Sequence, residues 1–428
     1  MSRRAFRFIV VITAVVILSA VLIPLTSRAA PDAIGVIAYE RGNTIRLVNS
    51  DGHNDRLLWQ DALPAGFKGI RGLQWRPDGG GLAFASDYEA TCSIYDSDIY
   101  TVLANGTGLK RITNSPRCPD LAGFPKGNVT IQVENAVANL SEFLIYVEGA
   151  STAKVVNIAP GVVVNVTLEN VADLGSTLQY AIAINGKYRW YSAAMAVDVK
   201  AGQTVTVPAR LVLNPSGNVY ADMGATYPVW HRGGAKVGFI FYEGILSQIA
   251  ANPAPGTGDL PILAPGAGVI AGSMAWSPVD ERIVYSDLNH ISVVLPGAAD
   301  GGTPVIDKSA AELVLGLDWL PDGSGFIFAI TDSLSQNSNI YEYSFPQNSL
   351  TPITDFADDY AGALSVSPNG QEIVFEFARA IGDPSELWII ERDGTGLRSL
   401  ETLGESPDWK PGTGIEYTDW AYLPFLKR

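Results

Sequence analysis

Six carboxylates recur at comparable places along this sequence. Glu40, Asp87, Glu243, Asp287, Asp332 and Glu376 each stand at or just beyond the second of two short apolar runs. Carboxylate oxygens are the ligands that hard divalent cations such as Ca2+ take, and a ring of them also attracts a basic peptide or a polyamine. If most of them face one side they form an acidic, ligand-binding rim; dispersed, they are solvated loop charge. Ca2+ or another divalent cation is the one cofactor this pattern admits, and otherwise none is expected. Cys92 and Cys118 are the only cysteines, an even pair that in an exported chain reads as one disulfide. His53, His231 and His290 are scattered without the spacing of a zinc site. The run DGHND from Asp51 resembles a calcium loop, but lacks the later Glu and reads as a hairpin turn. No G-x-S-x-G elbow, P-loop, Rossmann glycine signature or H-E-x-x-H helix occurs, so no catalytic residue is assigned.

The elements that must position these residues follow from composition and punctuation. With 47% hydrophobic and 17% charged residues in 428, the chain is not disordered. Its 43 Gly and 26 Pro interrupt short runs of Val, Ile and aromatic residues too often for long helices, which predicts an all-β protein. The net charge of −15 argues against nucleic acid as a partner. Arg3, Arg4 and Arg7 precede an apolar stretch over residues 8–25, and small residues precede Pro31. This is the layout of a secretory signal peptide over residues 1–29, cut after Ala29. Its removal takes four arginines and no acid, leaving a net charge of −19. Left uncleaved, the stretch would be a membrane anchor, the one membrane contact foreseen. The body is expected to be secreted, periplasmic or on the cell surface.

One template recurs in LQWRPDGGGLAF, YPVWHRGGAKVGFIF, MAWSPVDERIVY, LDWLPDGSGFIF and LSVSPNGQEIVF: a strand, a Pro/Asp/Gly turn and a second strand. SPDWKPG from Ser406 is a sixth first strand without a second, and IGVIAYE from Ile34 is a second strand without a first. The two halves complete each other. The anchor positions are Trp75, Trp230, Trp276, Trp319, Val366 and Trp409, spaced by 43 to 47 residues except for the 155 between the first two. Asn-Gly and Asp-Gly hairpins follow in IYTVLANGTGLKRIT and LWIIERDGTGLRSL. Four strands per repeat at this period predict six blades of a β-propeller, the anchors filling the space between blades.

These W-S-P-D-G turns, I-A-F strands and D-G-x-G-L-x-R-L-T hairpins resemble the TolB-like β-propeller family over most of the chain outside residues 124–213. That family has an α/β domain before its propeller, whereas here the first repeat follows the leader directly. The same repeats form the propeller of prolyl-oligopeptidase-type peptidases, whose hydrolase domain has no counterpart here.

Residues 124–213 break the repeat with seven strand-like runs, from VTIQVENA to TVTVPARLVL, which predict a small antiparallel β-sandwich of immunoglobulin-like or transthyretin-like type. The expected order is signal 1–29, blades one and two over 30–123, the insertion over 124–213, blades three to six with the closing strand over 214–412, and a tail over 413–428. A Cys92–Cys118 bridge would staple the root of the insertion. The function expected is non-catalytic binding of a protein or envelope polymer. The alternatives are a propeller hydrolase or lyase with a channel-bound divalent metal, and a cell-surface adhesion or structural protein acting through the insertion.

Overall fold

Short β-branched and aromatic runs between Gly and Pro turns become strands, and in the computed structural model these assemble into eight sheets among the described residues. The structure describes residues 35–60, 70–86, 97–113, 121–138, 140–150, 154–175, 179–185, 189–190, 195–213, 225–241, 245–250, 274–331, 337–379 and 383–412.

Six of the sheets are antiparallel meanders of three or four strands. Their first strands are Glu405–Trp409, Ile70–Trp75, Ala225–Trp230, Met274–Trp276, Val314–Trp319 and Tyr360–Val366. Each lies beside the next in that order, and the last returns to the first. The sheets therefore surround an axis, as in a β-propeller. The cycle is closed by the two ends of the repeat region: Val36–Arg41 pairs antiparallel with Glu405–Trp409, setting Ile37 opposite Trp409 and Ala38 opposite Asp408.

Packing explains why the anchors are large. Strands inside the ring are covered on both sides, so Gly81–Ser86 is buried throughout, with Leu82 and Phe84 facing one neighbouring sheet and Ala83 and Ala85 the other. Every anchor fills the junction with the preceding sheet. Trp75 packs with Val36 and Leu47, Trp230 with Ala83 and Ile99, and Trp276 with Val229 and Ile240. Trp319 meets Ala275 and Val284, Val366 meets Ile327 and Ala329, and Trp409 meets Val374 and Ile389.

Two local devices repeat with the anchors. The first strands carry β-bulges, with register shifts between Arg71 and Leu73, Thr226 and Val229, and Ala361 and Leu364, and positive φ at Gly72, Tyr227 and Ser406, each three residues before its anchor. Four residues after the anchor, the turn needs a left-handed residue, and Gly79, Gly234, Gly323 and Gly370 supply it at φ +65 to +72. A Cβ on Gly370 would meet Pro321 at 3.4 Å, an ordinary contact, so only backbone strain opposes it. Gly370→Ala is expected to cost about 1–2 kcal/mol by urea denaturation.

The other two sheets lie within residues 126–213 and share one hydrophobic core that includes Val129, Ile131, Phe143, Ile145, Val166 and Leu211. Lys154–Asn157, Glu142–Val147, Gln179–Asn185 and Arg189–Trp190 form one, with Met195–Val197 also on Gln179–Asn185. Val163–Ala172, Lys126–Asn135 and Thr204–Leu213 form the other. The expectation of an antiparallel insertion is corrected here, because Thr204–Leu213 runs parallel to Lys126–Asn135. Alternation of polar and apolar residues has period two in either direction, so it carries no information on strand polarity. First and last strands far apart in sequence need no hairpin and are free to pair in parallel. Exposed Pro208 sits where the register shifts between Thr206 and Arg210, a place that requires no ladder donor.

Candidate functional site

Three of the six sequence-derived acidic residues, Glu40, Asp287 and Glu376, lie among the described residues. Glu40 is fully buried on Val36–Arg41, opposite Glu405. Glu376 is buried on Glu372–Ala378, where its Oε1 accepts the Ser406 N–H at 2.5 Å and its Oε2 lies against Gly362. Both therefore stand beside the closing strand. Asp287 folds back on its own turn, its Oδ1 accepting the N–H groups of Asn289 at 2.8 Å and His290 at 2.7 Å. Asp87, Glu243 and Asp332 lie outside the described residues, as do Cys92 and Cys118. Among the described residues no group of three or more His, Cys, Asp or Glu is placed to hold a metal ion. At the DGHND hairpin, Asp51 Oδ1 accepts the His53 N–H at 3.0 Å, which is turn chemistry.

A second constellation, absent from the sequence-derived set, occupies the column one residue before each anchor: Asp408, Gln74, Val229, Ala275, Asp318 and Ser365. Where this residue is polar, its side chain reaches the anchor amide of the next sheet. Asp408 Oδ2 accepts the Trp75 N–H at 2.5 Å, and Gln74 Oε1 accepts that of Trp230 at 2.5 Å. Asp318 Oδ2 accepts the Val366 N–H at 2.8 Å, and Ser365 Oγ accepts that of Trp409 at 3.2 Å. Val229 and Ala275 have no such acceptor. The Trp319 indole N–H instead donates to the Ala275 carbonyl at 3.0 Å, as Trp230 does to that of Gln74 at 3.1 Å. These bonds tie neighbouring sheets at the axis.

The column brings two carboxylates to one hydroxyl. Ser365 Oγ lies 3.0 Å from Asp408 Oδ1 and 3.3 Å from Asp318 Oδ2. Asp318 also accepts the Trp319 N–H on Oδ1 at 2.8 Å. Burial pushes the Asp318 carboxyl up to about 6, against the pull of the Val366 and Trp319 N–H groups and the Ser365 hydroxyl. Asp318 is only half-buried by its exposed surface, yet the protein packed around its carboxyl displaces enough water for desolvation to outweigh its hydrogen bonds. Burial first, and the Asp318 charge second, raise Asp408 well above the usual carboxylate range. The visible signal in the sequence was the residue before each anchor, polar in four of six copies.

No protein-family model matches the chain. The Tol-Pal system protein TolB of Anaeromyxobacter sp. (strain K) is 27% identical over 113 residues, 26% of this chain and 25% of that protein. The same figures hold for the Tol-Pal system protein TolB of Anaeromyxobacter dehalogenans (strain 2CP-1 / ATCC BAA-258). The match thus spans about a quarter of these relatives' length. Among solved structures, TolB from Acinetobacter baumannii aligns over 89% of this chain and 68% of its own, with a TM-score of 0.49 and 14% identity. A chain of the Nidogen/Laminin complex aligns over 88% of this chain and 98% of its own, with a TM-score of 0.46 and 8% identity. An oligogalacturonate lyase in complex with manganese covers 86% of this chain and 85% of its own, with a TM-score of 0.35 and 12% identity.

Proposed function

We propose that this TolB-like β-propeller protein is an exported, non-catalytic interaction protein of the cell envelope or extracellular space. In this reading a signal peptide over residues 1–29 directs export. Six blades, over 30–123 and 214–412, form the recognition scaffold; a small β-sandwich over 124–213 is inserted after the second blade, and a tail follows over 413–428. The observation that carries it is the axial set of ties between neighbouring sheets, from Asp408, Gln74, Asp318 and Ser365 to the anchor amides of the sheets that follow. Ties of this kind make a stiff platform, which leaves recognition to the loops and to the insertion. The 113-residue likeness to Tol-Pal system proteins supports protein or polymer partners of the envelope. Asp87, Glu243 and Asp332 are the remaining candidate acidic contacts, and Cys92–Cys118 the candidate staple at the insertion's root. The reading requires no resident cofactor.

A second reading, adhesion through the insertion, is favoured by the insertion's own two-sheet core. Binding of isolated cell envelopes by the intact chain and by a chain lacking residues 124–213 separates the two. Retained binding is expected if the propeller recognises the partner. Binding that disappears while the shortened chain still unfolds cooperatively would assign it to the insertion, and an intact chain that binds no envelope component would overturn both.

A further inference from the structure

The contact between Asp318, Ser365 and Asp408 contains one proton more than ionised carboxylates supply. A serine hydroxyl has a single hydrogen to donate and two lone pairs to accept with. At Ser365 one lone pair takes the Trp409 N–H, yet a carboxyl oxygen lies within 3.3 Å on each of two sides. The hydroxyl satisfies one of these oxygens. The other faces the remaining lone pair and holds a hydrogen bond only if it carries a proton itself. Asp318 Oδ2 already accepts the Val366 N–H, as Asp318 Oδ1 accepts that of Trp319. Asp408 gives its Oδ2 to the Trp75 N–H and meets Ser365 through Oδ1. Donor counting therefore places the proton on Asp408 Oδ1: Asp408 donates to Ser365, and Ser365 donates to an ionised Asp318.

The location gives this proton a mechanical consequence. Asp408 lies on the closing strand, and through these bonds it joins that strand to the next sheet at Trp75 and to the previous one at Ser365. Among the described residues, no cation contributes to the perturbation of either carboxyl. Asp408 is perturbed by Asp318 and by burial, and Asp318 by burial, while both are held by backbone N–H groups and Ser365. Of the other charged groups there, Glu376 is occupied with the Ser406 N–H, Glu40 stands opposite Glu405, and Lys410 holds its ammonium over the Trp75 ring at 5.2 Å. We propose that Asp408, Ser365 and Asp318 form a proton-operated latch on the closing strand. With one proton in the bridge the seam is closed; when that proton leaves to solvent, two adjacent carboxylates and one hydroxyl repel along the axis and the strand loosens.

The direction in pH follows from the raised acidities. An acid whose folded pKa lies above its unfolded value stabilises the fold most below the unfolded value, and that contribution is lost as pH rises through the folded one. For Asp318 this window runs from the ordinary carboxylate range to about 6. For Asp408, raised by burial first and by the Asp318 charge second, the contribution is likewise lost as pH rises above the ordinary carboxylate range.

Native-state hydrogen exchange of the intact chain tests the latch. Protection of the Trp409, Lys410 and Trp75 amides, corrected for intrinsic exchange, is expected to fall by up to about tenfold for each unit of pH between the ordinary carboxylate range and the Asp408 transition, and to level off above it. Amides of the insertion core, such as Val129 and Ile131, should stay level. Asp408→Asn offers an amide N–H to Ser365 in place of the carboxyl proton, so it should keep the seam protected across the same range. Seam protection that does not change with pH, or that falls equally in Asp408→Asn, overturns the proposal. Should Asp408→Asn fail to fold, the wild-type comparison of seam and insertion amides decides alone.

Discussion

Trp409→Ala is expected to destabilise the protein by about 3–5 kcal/mol, the range for removing a buried tryptophan, and to do so by opening the ring. The indole is 5% exposed and packs with Ile37, Tyr39, Val48, Val374 and Leu387, which come from the sheets on either side of the seam. Its ring lies so close to Gly35 that a Cβ there would come within 2.4 Å of it. Truncation to alanine leaves a cavity beside the pairing of Glu405–Trp409 with Val36–Arg41, where strands from the two ends of the repeat region meet by pairing and packing alone. The strand itself stays tethered by the Lys410 N–H to the Val36 carbonyl at 2.8 Å and by the Asp408 bonds. Removing residues 405–428 is the full form of the same experiment. It uncovers the edge of Val36–Arg41 and deletes Asp408, one of the two carboxylates of the axial bridge, and an exposed, flat edge of this kind invites pairing between chains. Urea denaturation with tryptophan fluorescence should show the shifted midpoint for Trp409→Ala. For the shortened chain it should show no cooperative transition. Full stability in the shortened chain would mean that the ring does not depend on its closing strand.

The features readable from sequence were those that repeat for a steric reason. An anchor of large volume and a Pro/Asp/Gly turn after it recur because every junction in the ring poses the same packing problem, so Trp75, Trp230, Trp276, Trp319 and Trp409 mark it. The pairing of Ile34-side and Trp409-side strands was legible for a related reason: each end carried half a repeat. Strand polarity in the insertion was not legible, since period two is the same for a parallel Thr204–Leu213 as for an antiparallel one.

At the site, the acids near strand ends read as a rim because loop carboxylates are usually solvated. Within strands buried on both faces, alternation vanishes, so nothing in VIAYER or EIVFEFA separates a lining residue from a buried one such as Glu40 or Glu376. The axial column escaped notice for the opposite reason. Its members differ from copy to copy, from Gln74 and Val229 to Ser365 and Asp408, because what four of the six share is an acceptor reaching an amide and not a residue type.

That column depends on first strands lying close together, and Gly316→Val should separate them. A Cβ at Gly316 would come 2.7 Å from the Leu364 backbone N, 2.8 Å from Ala363 Cα and 2.9 Å from the Gly362 carbonyl O. All three are backbone atoms of Tyr360–Val366, so no side chain can rotate away. Overpacking of this kind costs about 1–3 kcal/mol for one added group, which sets the expectation for Gly316→Ala, with valine at or beyond the upper end. The displacement has a second cost. Moving the strand away stretches the Asp318 bond to the Val366 N–H, now 2.8 Å, and with it the bridge through Ser365 to Asp408. An instructive control is Gly202→Ala in the insertion, where φ is +69 and no atom lies within 4 Å of the new Cβ. It bears only conformational strain, about 1–2 kcal/mol. Urea denaturation of the two alanine variants should separate steric from conformational cost. Hydrogen exchange should show lost protection at Val366 in Gly316→Ala alone. Equal destabilisation with unchanged protection at Val366 would show that the two first strands are not locked at this distance.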